Sequence, residues 1–344
     1  MKSFSLLKKF FVFGLILMMA ALVIAGCGEK PKPAAEKTAA PAKMKIAMLL
    51  PGPANDAGWN TAAYQGLMKL KDSGYEVAFT ESVPVANIEE AFRNYAEKGY
   101  GLIVGHGFQF GDPALKVAGQ FANTKIFVSG KNPTNAKMLP NVGFIDQSEF
   151  EGAYLCGIVA GMTTKTNKIG YVAGMEIPGQ LANLAAFTKA VEAVNPQAKV
   201  FGIITGSFSD PAKGKEAATA QIENGADIIM HAADSTGLGV IEAAKAKNVM
   251  LIGYGADQSA LAPELMLTSL IPDLSKAITQ QTERIDKGTF GGVWKAGIKD
   301  GIIDIAPLSA KVPQAAKDKV AQVRKDIVEG KFSVPEIYER IDKK

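Results

Sequence analysis

Four aromatic side chains in this sequence occupy loops where a large apolar group is unfavourable. Trp59, Phe108, Phe110 and Phe208 each follow a run that reads as a β-strand, and their neighbours are Gly, Asn, Asp or Ser. Aromatic faces stack flat rings, while carboxylates and amides read ring edges. The first loop, "GPANDAGWN", sets Asn55, Asp56 and Asn60 around Trp59. Trp59 could instead open the next helix as a core residue, with Asn55 or Asp56 as its cap. Four aromatics in equivalent loops favour a pocket.

Five other loops fall at strand ends. "GHGFQFGDP" carries His106, Gly107 and Phe108, and "AGMEIPG" carries Met175 and Glu176. "GSFSDPAK" contributes Phe208, "HAADSTG" Asp234, and "GYGADQ" Gly255 and Asp257. The glycines in them allow tight turns and close approach of backbone N–H groups, and would serve equally as plain turn punctuation. Ser209 or Asp210 followed by Pro211 reads as a helix start, so Asp210 is expected to be structural.

Catalytic chemistry finds little footing. His106 and His231 have no cysteine or carboxylate at metal-ligand spacing, so no metal is expected. No GxSxG elbow, no GxGxxG after the first strand and no GxxxxGK[ST] occurs, and no cofactor is expected. A sugar-acting enzyme with Asp56 or Glu176 as acid or base is the lesser alternative.

Strand and helix signals alternate along the chain, as in α/β folds with parallel sheets. Strands are expected at 45–50, 76–80, 102–105, 125–129 and 142–145, then at 168–173, 199–205, 227–231 and 250–253. Helical patterns lie between them, and "GAYLCGIVAGM" reads as a buried helix holding Cys156. The fold class is therefore α/β, with two doubly wound lobes. In such sheets ligands bind outside the carboxyl ends of the strands. All six loops meet that condition. The last third adds a strand end and amphipathic helix over 267–288, "GIIDIAPLS", and a final helix near 314–329. These must dock on lobes already formed, so the chain is expected to cross more than once. The N-terminal lobe is assigned 44–144 plus about 270–301, and the C-terminal lobe 145–269 plus about 302–344.

The first residues have a different character. Lys2, Lys8 and Lys9 precede an unbroken apolar stretch, Phe10 to Ala25, that ends in Ile24-Ala25-Gly26-Cys27. This is the pattern of a signal peptide (1–26) with a bacterial lipobox, in which Cys27 is acylated. An ordinary secretory signal or an anchor helix is the alternative. Residues 28–43 hold three prolines and no large apolar side chain, so they are expected to form a disordered tether. The net charge of +4 arises in these segments: without the three leader lysines and the tether's four lysines and two glutamates, the body carries −1. No basic stripe remains to suggest nucleic acid. Leader and tether together imply an extracytoplasmic protein held at a membrane, and a monomer is expected.

The ordered set "GPANDAGWN…AYQGL", "GHGFQF", "DQSEFEGAYLCGIVAG", "KIGYVAGMEIP", "GSFSDPAKGKEAA" and "GADQSALAPELMLTSL" strongly resembles the basic membrane lipoprotein family, the PnrA-like substrate-binding proteins of ABC transporters. The likeness runs from about Lys45 to the C-terminus. It implies a type I periplasmic-binding-protein fold, an acylated anchor, and capture of nucleosides or related ligands for a permease and its ATPase. A sensor lipoprotein feeding a receptor would look the same. Asp56, Trp59 and Asn60 keep the acid, aromatic and amide of the family's first loop, and Phe208 matches its stacking aromatic. Gly255 replaces the first acid of the family's Gly-Val-Asp-x-Asp-Gln, Asp257 keeps the second, and Pro272 replaces a lysine. An acid and a lysine are natural partners for ribose, and losing both together points to a changed specificity. A free purine base or another small planar ligand is expected here.

Overall fold

The computed structural model describes residues 43–342 except 132, 134 and 135. The expected leader, Cys27 and most of the tether lie outside them. In the first half, β1 (Lys45–Leu49), β2 (Glu76–Thr80), β3 (Leu102–His106), β4 (Lys125–Ser129) and β5 (Val142–Gln147) alternate with α1 (Trp59–Asp72), α2 (Ile88–Glu97) and α3 (Gly111–Ala118). After α4 (Glu149–Thr163) come β6 (Lys168–Ala173), α5 (Pro178–Val194), β7 (Lys199–Ile204), α6 (Pro211–Glu223), β8 (Ile228–Ala232), α7 (Asp234–Lys247), β9 (Met250–Tyr254) and β10 (Met266–Pro272). The last third supplies α8 (Leu274–Asp286), β11 (Gly292–Ala296), β12 (Ile303–Ile305) and α9 (Gln314–Val328).

These strands make two six-stranded sheets, in the orders β11-β5-β4-β3-β1-β2 and β12-β10-β9-β8-β6-β7. Every pairing is parallel except β10 with the edge strand β12. The central strands are apolar on both faces because helices cover both faces. β3 and β8 are buried at every residue. In α2 the buried residues Ile88, Phe92, Tyr95 and Ala96 form one stripe, and Glu89 and Glu90 lie in the first turn, where the helix dipole favours acids. By contrast α4 is apolar nearly all round, because α5, α9 and β10 pack around it.

The chain passes between sheets at three places: after β5, between β10 and α8, and between β11 and β12. These crossings are bonded to one another. Ser148 N donates to Ala296 O at 2.8 Å, Asp273 N to Ile302 O at 2.6 Å, and Ile298 N to Glu151 Oε2 at 2.7 Å. The three crossings thus form one bonded connection between the sheets.

Close packing of α6 against α7 sets the positions of Phe208 and Asp234. A Cβ on Gly239 of α7 would run into Pro211 O of α6, and one on Gly214 of α6 into Thr236 O of α7. The helices therefore approach backbone to backbone. Gly239→Ala should lower stability by about 3 kcal/mol, since neither backbone can yield. Urea denaturation monitored by circular dichroism would measure it, and an unchanged midpoint would refute the packing argument.

Candidate functional site

The first loop is built around one carboxylate. Asp56, only 2% exposed, accepts from Gly58 N and Thr61 N at 2.9 Å and from Asn60 N at 3.0 Å. It also accepts from Asn60 Nδ2 at 2.7 Å and Thr61 Oγ1 at 3.0 Å. Five donors exhaust its lone pairs. It satisfies the free N–H groups at the start of α1 and suits the positive end of the helix dipole. Asp56 and the buried Asn60 thus hold the loop that aims Trp59, and neither lines the cavity beside it.

Trp59, the first residue of α1, is half-buried. Its ring stacks on His106 with centroids 4.4 Å apart and planes 19° from parallel. The Tyr254 ring lies 6.5 Å away, within 10° of parallel. His106 is fully buried, and burial lowers its pKa to about 3, so the imidazole is neutral. Trp59 O can only accept, so His106 Nε2 carries the proton (3.1 Å) and Nδ1 accepts from Ser129 Oγ (2.7 Å). His106 is the platform beneath the indole.

A cavity of about 400 Å³ opens where the carboxyl ends of the two sheets face each other. Trp59, Gly107, Phe108 and Ser129 line it from lobe one, and Asn183, Phe208, Asp234 and Tyr254 from lobe two. Glu149, at the first crossing, forms its floor with Asp234. Glu149 Oε2 accepts from Tyr254 Oη at 2.7 Å and Asn183 Nδ2 at 3.1 Å. Burial raises the Glu149 pKa. Burial, then the nearby charges of Asp56 and Glu149, raises that of Asp234 well above the usual carboxylate range. Asp234 makes no side-chain hydrogen bond to the described residues, and its φ of 47° holds it at the left-handed start of α7. Gln180, 6% exposed, lines the cavity with Oε1 unpartnered, as does Gln147 with Nε2 unpartnered.

The rim is closed by the segment after α9. Glu336 pairs with Lys295 at 2.6 Å and Lys131 at 3.9 Å, and Lys131 also meets Asp146 at 3.5 Å and Tyr338 Oη at 2.9 Å. Arg340 then returns the chain to lobe two by donating to Gly202 O at 2.9 Å.

Of the candidates from sequence, Trp59, Gly107, Phe108, Phe208 and Asp234 line this cavity. Asn55, Asp56, Asn60, His106, Met175, Glu176, Gly255 and Asp257 do not. Met175 and Glu176 are exposed just outside it, and the wall is made by the following residues, Ile177 to Gln180. Asp257 is exposed and accepts from Ser259 N at 3.0 Å. Phe110 is fully buried, edge-on to Phe92 in the core. Asp210 caps α6, accepting from Ala212 N at 3.1 Å and Lys213 N at 3.3 Å.

Gly255 plays another part. It has φ +88°, and a Cβ there would lie 2.7 Å from Trp59 N and 2.8 Å from Gly58 C, across the boundary between lobes. Beside it Gln258 Nε2 donates to Ala57 O at 2.9 Å, while Gln258 Oε1 accepts from His231 Nε2 at 2.8 Å. Lobe two therefore clasps the loop that presents Trp59.

Residues 43–338 match the family model described as ABC transporter substrate-binding protein PnrA-like. The chain belongs to this family. A purine-binding protein of Brucella abortus is 27% identical to it over 300 residues, covering 85% of this chain and 83% of the relative. The ABC transporter nucleoside-binding protein BmpA of Lactococcus lactis is 27% identical, covering 95% and 99%. A solved ABC-transporter solute-binding protein from Conexibacter woesei superposes with a TM-score of 0.75 at 28% identity, covering 86% of this chain and all of the other. This family member is a substrate-binding protein of an ABC transporter, with the α/β type I binding-protein fold, and its family is one of binding proteins and not of enzymes.

Proposed function

We propose that this chain captures a small ring-containing solute, of the purine or related aromatic class, between its lobes and delivers it to an ABC permease and ATPase. The observation that carries the reading is the pairing of Trp59 from lobe one with Phe208 from lobe two on the walls of one cavity of about 400 Å³. Closure is favoured by whatever touches both jaws, and a flat ring between these side chains does so. The purine-binding and nucleoside-binding relatives support this class.

A free base or other planar ring fits better than an intact nucleoside. Position 255 has no side chain and no room for one, Asp257 lies outside the cavity, and Pro272 stands where the family's lysine is expected. The partners usual for ribose are therefore missing. The protein acts outside the cytoplasm as a monomer anchored through acylated Cys27, without cofactor or nucleic acid.

Thermal-shift screening of purines, nucleosides, flavins and other aromatic metabolites against the purified protein tests the reading. A free base or other flat ring should raise the melting temperature and bind in calorimetry. Guanosine or inosine binding at micromolar strength or better would overturn the preference for a ligand without ribose. A screen in which no ring compound binds would overturn the ring-binding reading.

A further inference from the structure

We propose that the cleft selects a positively charged flat nitrogen heterocycle, its ring held by Trp59 and Phe208 and its charge placed beside Glu149 and Asp234. This rests on the ring-binding reading and adds the sign of the ligand's charge.

Among the described residues four carboxylates line the cavity, Asp146, Glu149, Asp234 and Glu336, against one cation, Lys131. Lys131 is spoken for, since Asp146 and Glu336 both pair with it at the rim, where Lys295 also supports Glu336. The floor has no such compensation. Among the described residues no Lys or Arg pairs with Glu149 or Asp234, and the groups that act on them are Tyr254, Asn183, Asp56 and each other. His106 lies behind the indole and stays neutral.

An uncompensated pair of carboxylates in a part-buried cavity is unfavourable, and an entering cation relieves it while an anion aggravates it. The walls act in the same direction. The faces of Trp59, Tyr254 and Phe208 attract cations through their quadrupoles, an attraction that grows when water is excluded. Gln180, nine-tenths buried with an unpartnered acceptor at the wall, adds a third site for N–H groups. A neutral ring would meet the aromatic faces equally well and leave the two floor charges unanswered.

Burial raises the pKa of both floor carboxyls, so protons compete with a cationic ligand there. A cation favours the ionised forms. Its affinity should therefore rise with pH above the ordinary carboxylate range, with protons released on binding. Facing these groups, Tyr254 titrates well above that window, Asp56 is held by its five donors, and Lys131 remains in its rim pairs.

Matched rings of different charge test the proposal: nicotinamide against 1-methylnicotinamide, and quinoline against 1-methylquinolinium, by calorimetry in two buffers of different ionisation enthalpy. The methylated cation should bind at least ~10-fold more tightly than its neutral partner, from cation–π and charge contacts together. Glu149→Gln and Asp234→Asn should each close most of that gap. Both amides are near-isosteric; unliganded Asp234→Asn should melt no lower than the parent, since that carboxylate has no side-chain hydrogen bond to lose, while Glu149→Gln keeps an oxygen that can accept from Tyr254 and Asn183. Equal or tighter binding of the neutral rings, or unchanged preference in both variants, would overturn the charge assignment and leave ring binding intact. If no ring of either charge binds, the ring-binding reading falls with it.

Discussion

Trp59→Ala should cost the protein its ligand far more than its fold. Removing an aromatic anchor from the centre of a binding surface typically costs 2 kcal/mol or more, so a loss of about 3 kcal/mol, ~100-fold in affinity, is expected. Stability should fall by only about 1–2 kcal/mol, less than for a fully buried ring, since the indole is half-buried and one face already rests on His106. Trp59→Phe keeps an aromatic face over the imidazole and should recover most of the affinity. Calorimetry and chemical denaturation on the same three proteins separate the two effects. A stability loss above the affinity loss would mean that the indole serves the core first.

Gly255→Asp should be nearly as damaging by a different route. The new Cβ would meet backbone atoms of Gly58 and Trp59 at 2.7–2.8 Å, and the backbone already sits at φ +88°. Each lobe's interior is untouched, so the way to relieve the clash is to part the lobes. Apparent affinity falls in proportion to the closed fraction, and a shift of about 2–3 kcal/mol between the two forms gives a ~30- to 100-fold loss. Small-angle scattering should show a larger radius of gyration with ligand present, while stability should fall only by the ~1 kcal/mol that a side chain at φ +88° costs. Gly255→Ala should give a milder version of both effects. Unchanged affinity in Gly255→Asp would show that the clasp between Gly255 and Trp59 is not needed for binding. It would also remove the reason for glycine at a position where the resembling family keeps an acid.

The alternation of strands and helices is legible in the sequence because strands covered on both faces are near-continuous apolar runs, as in "LIVGH" and "IIMHA". The strand Gly292–Ala296 is not legible. It is an edge, half exposed, with Gly and Lys among five residues, and only its parallel register with Val142–Gln147 defines it. The site is legible where a side chain stands alone after a strand, as Trp59 and Phe208 do. Asp56 shows the limit. An acid beside an aromatic suggests a ligand contact, yet the demand of α1 for acceptors at its start takes the whole carboxylate. Tyr254 stands in the loop "GYGADQ" and is not among the candidates from sequence; the structure makes it the last residue of β9 and places it on the cavity wall. Glu149 is announced weakly, since it follows β5 as the other loops follow their strands. Glu336 and Tyr338 carry no local sign, being brought to the rim by chain that returns from another lobe.

The three bonded crossings also bear on how the molecule is made. Lobe one lacks its sixth strand until residues 292–296 emerge, and lobe two lacks its edge until 303–305. During synthesis neither half can finish before the other has been threaded through, so no single cut divides the gene into two self-sufficient parts. Tertiary closure is thereby deferred to residues 292–305, near the end of the polypeptide.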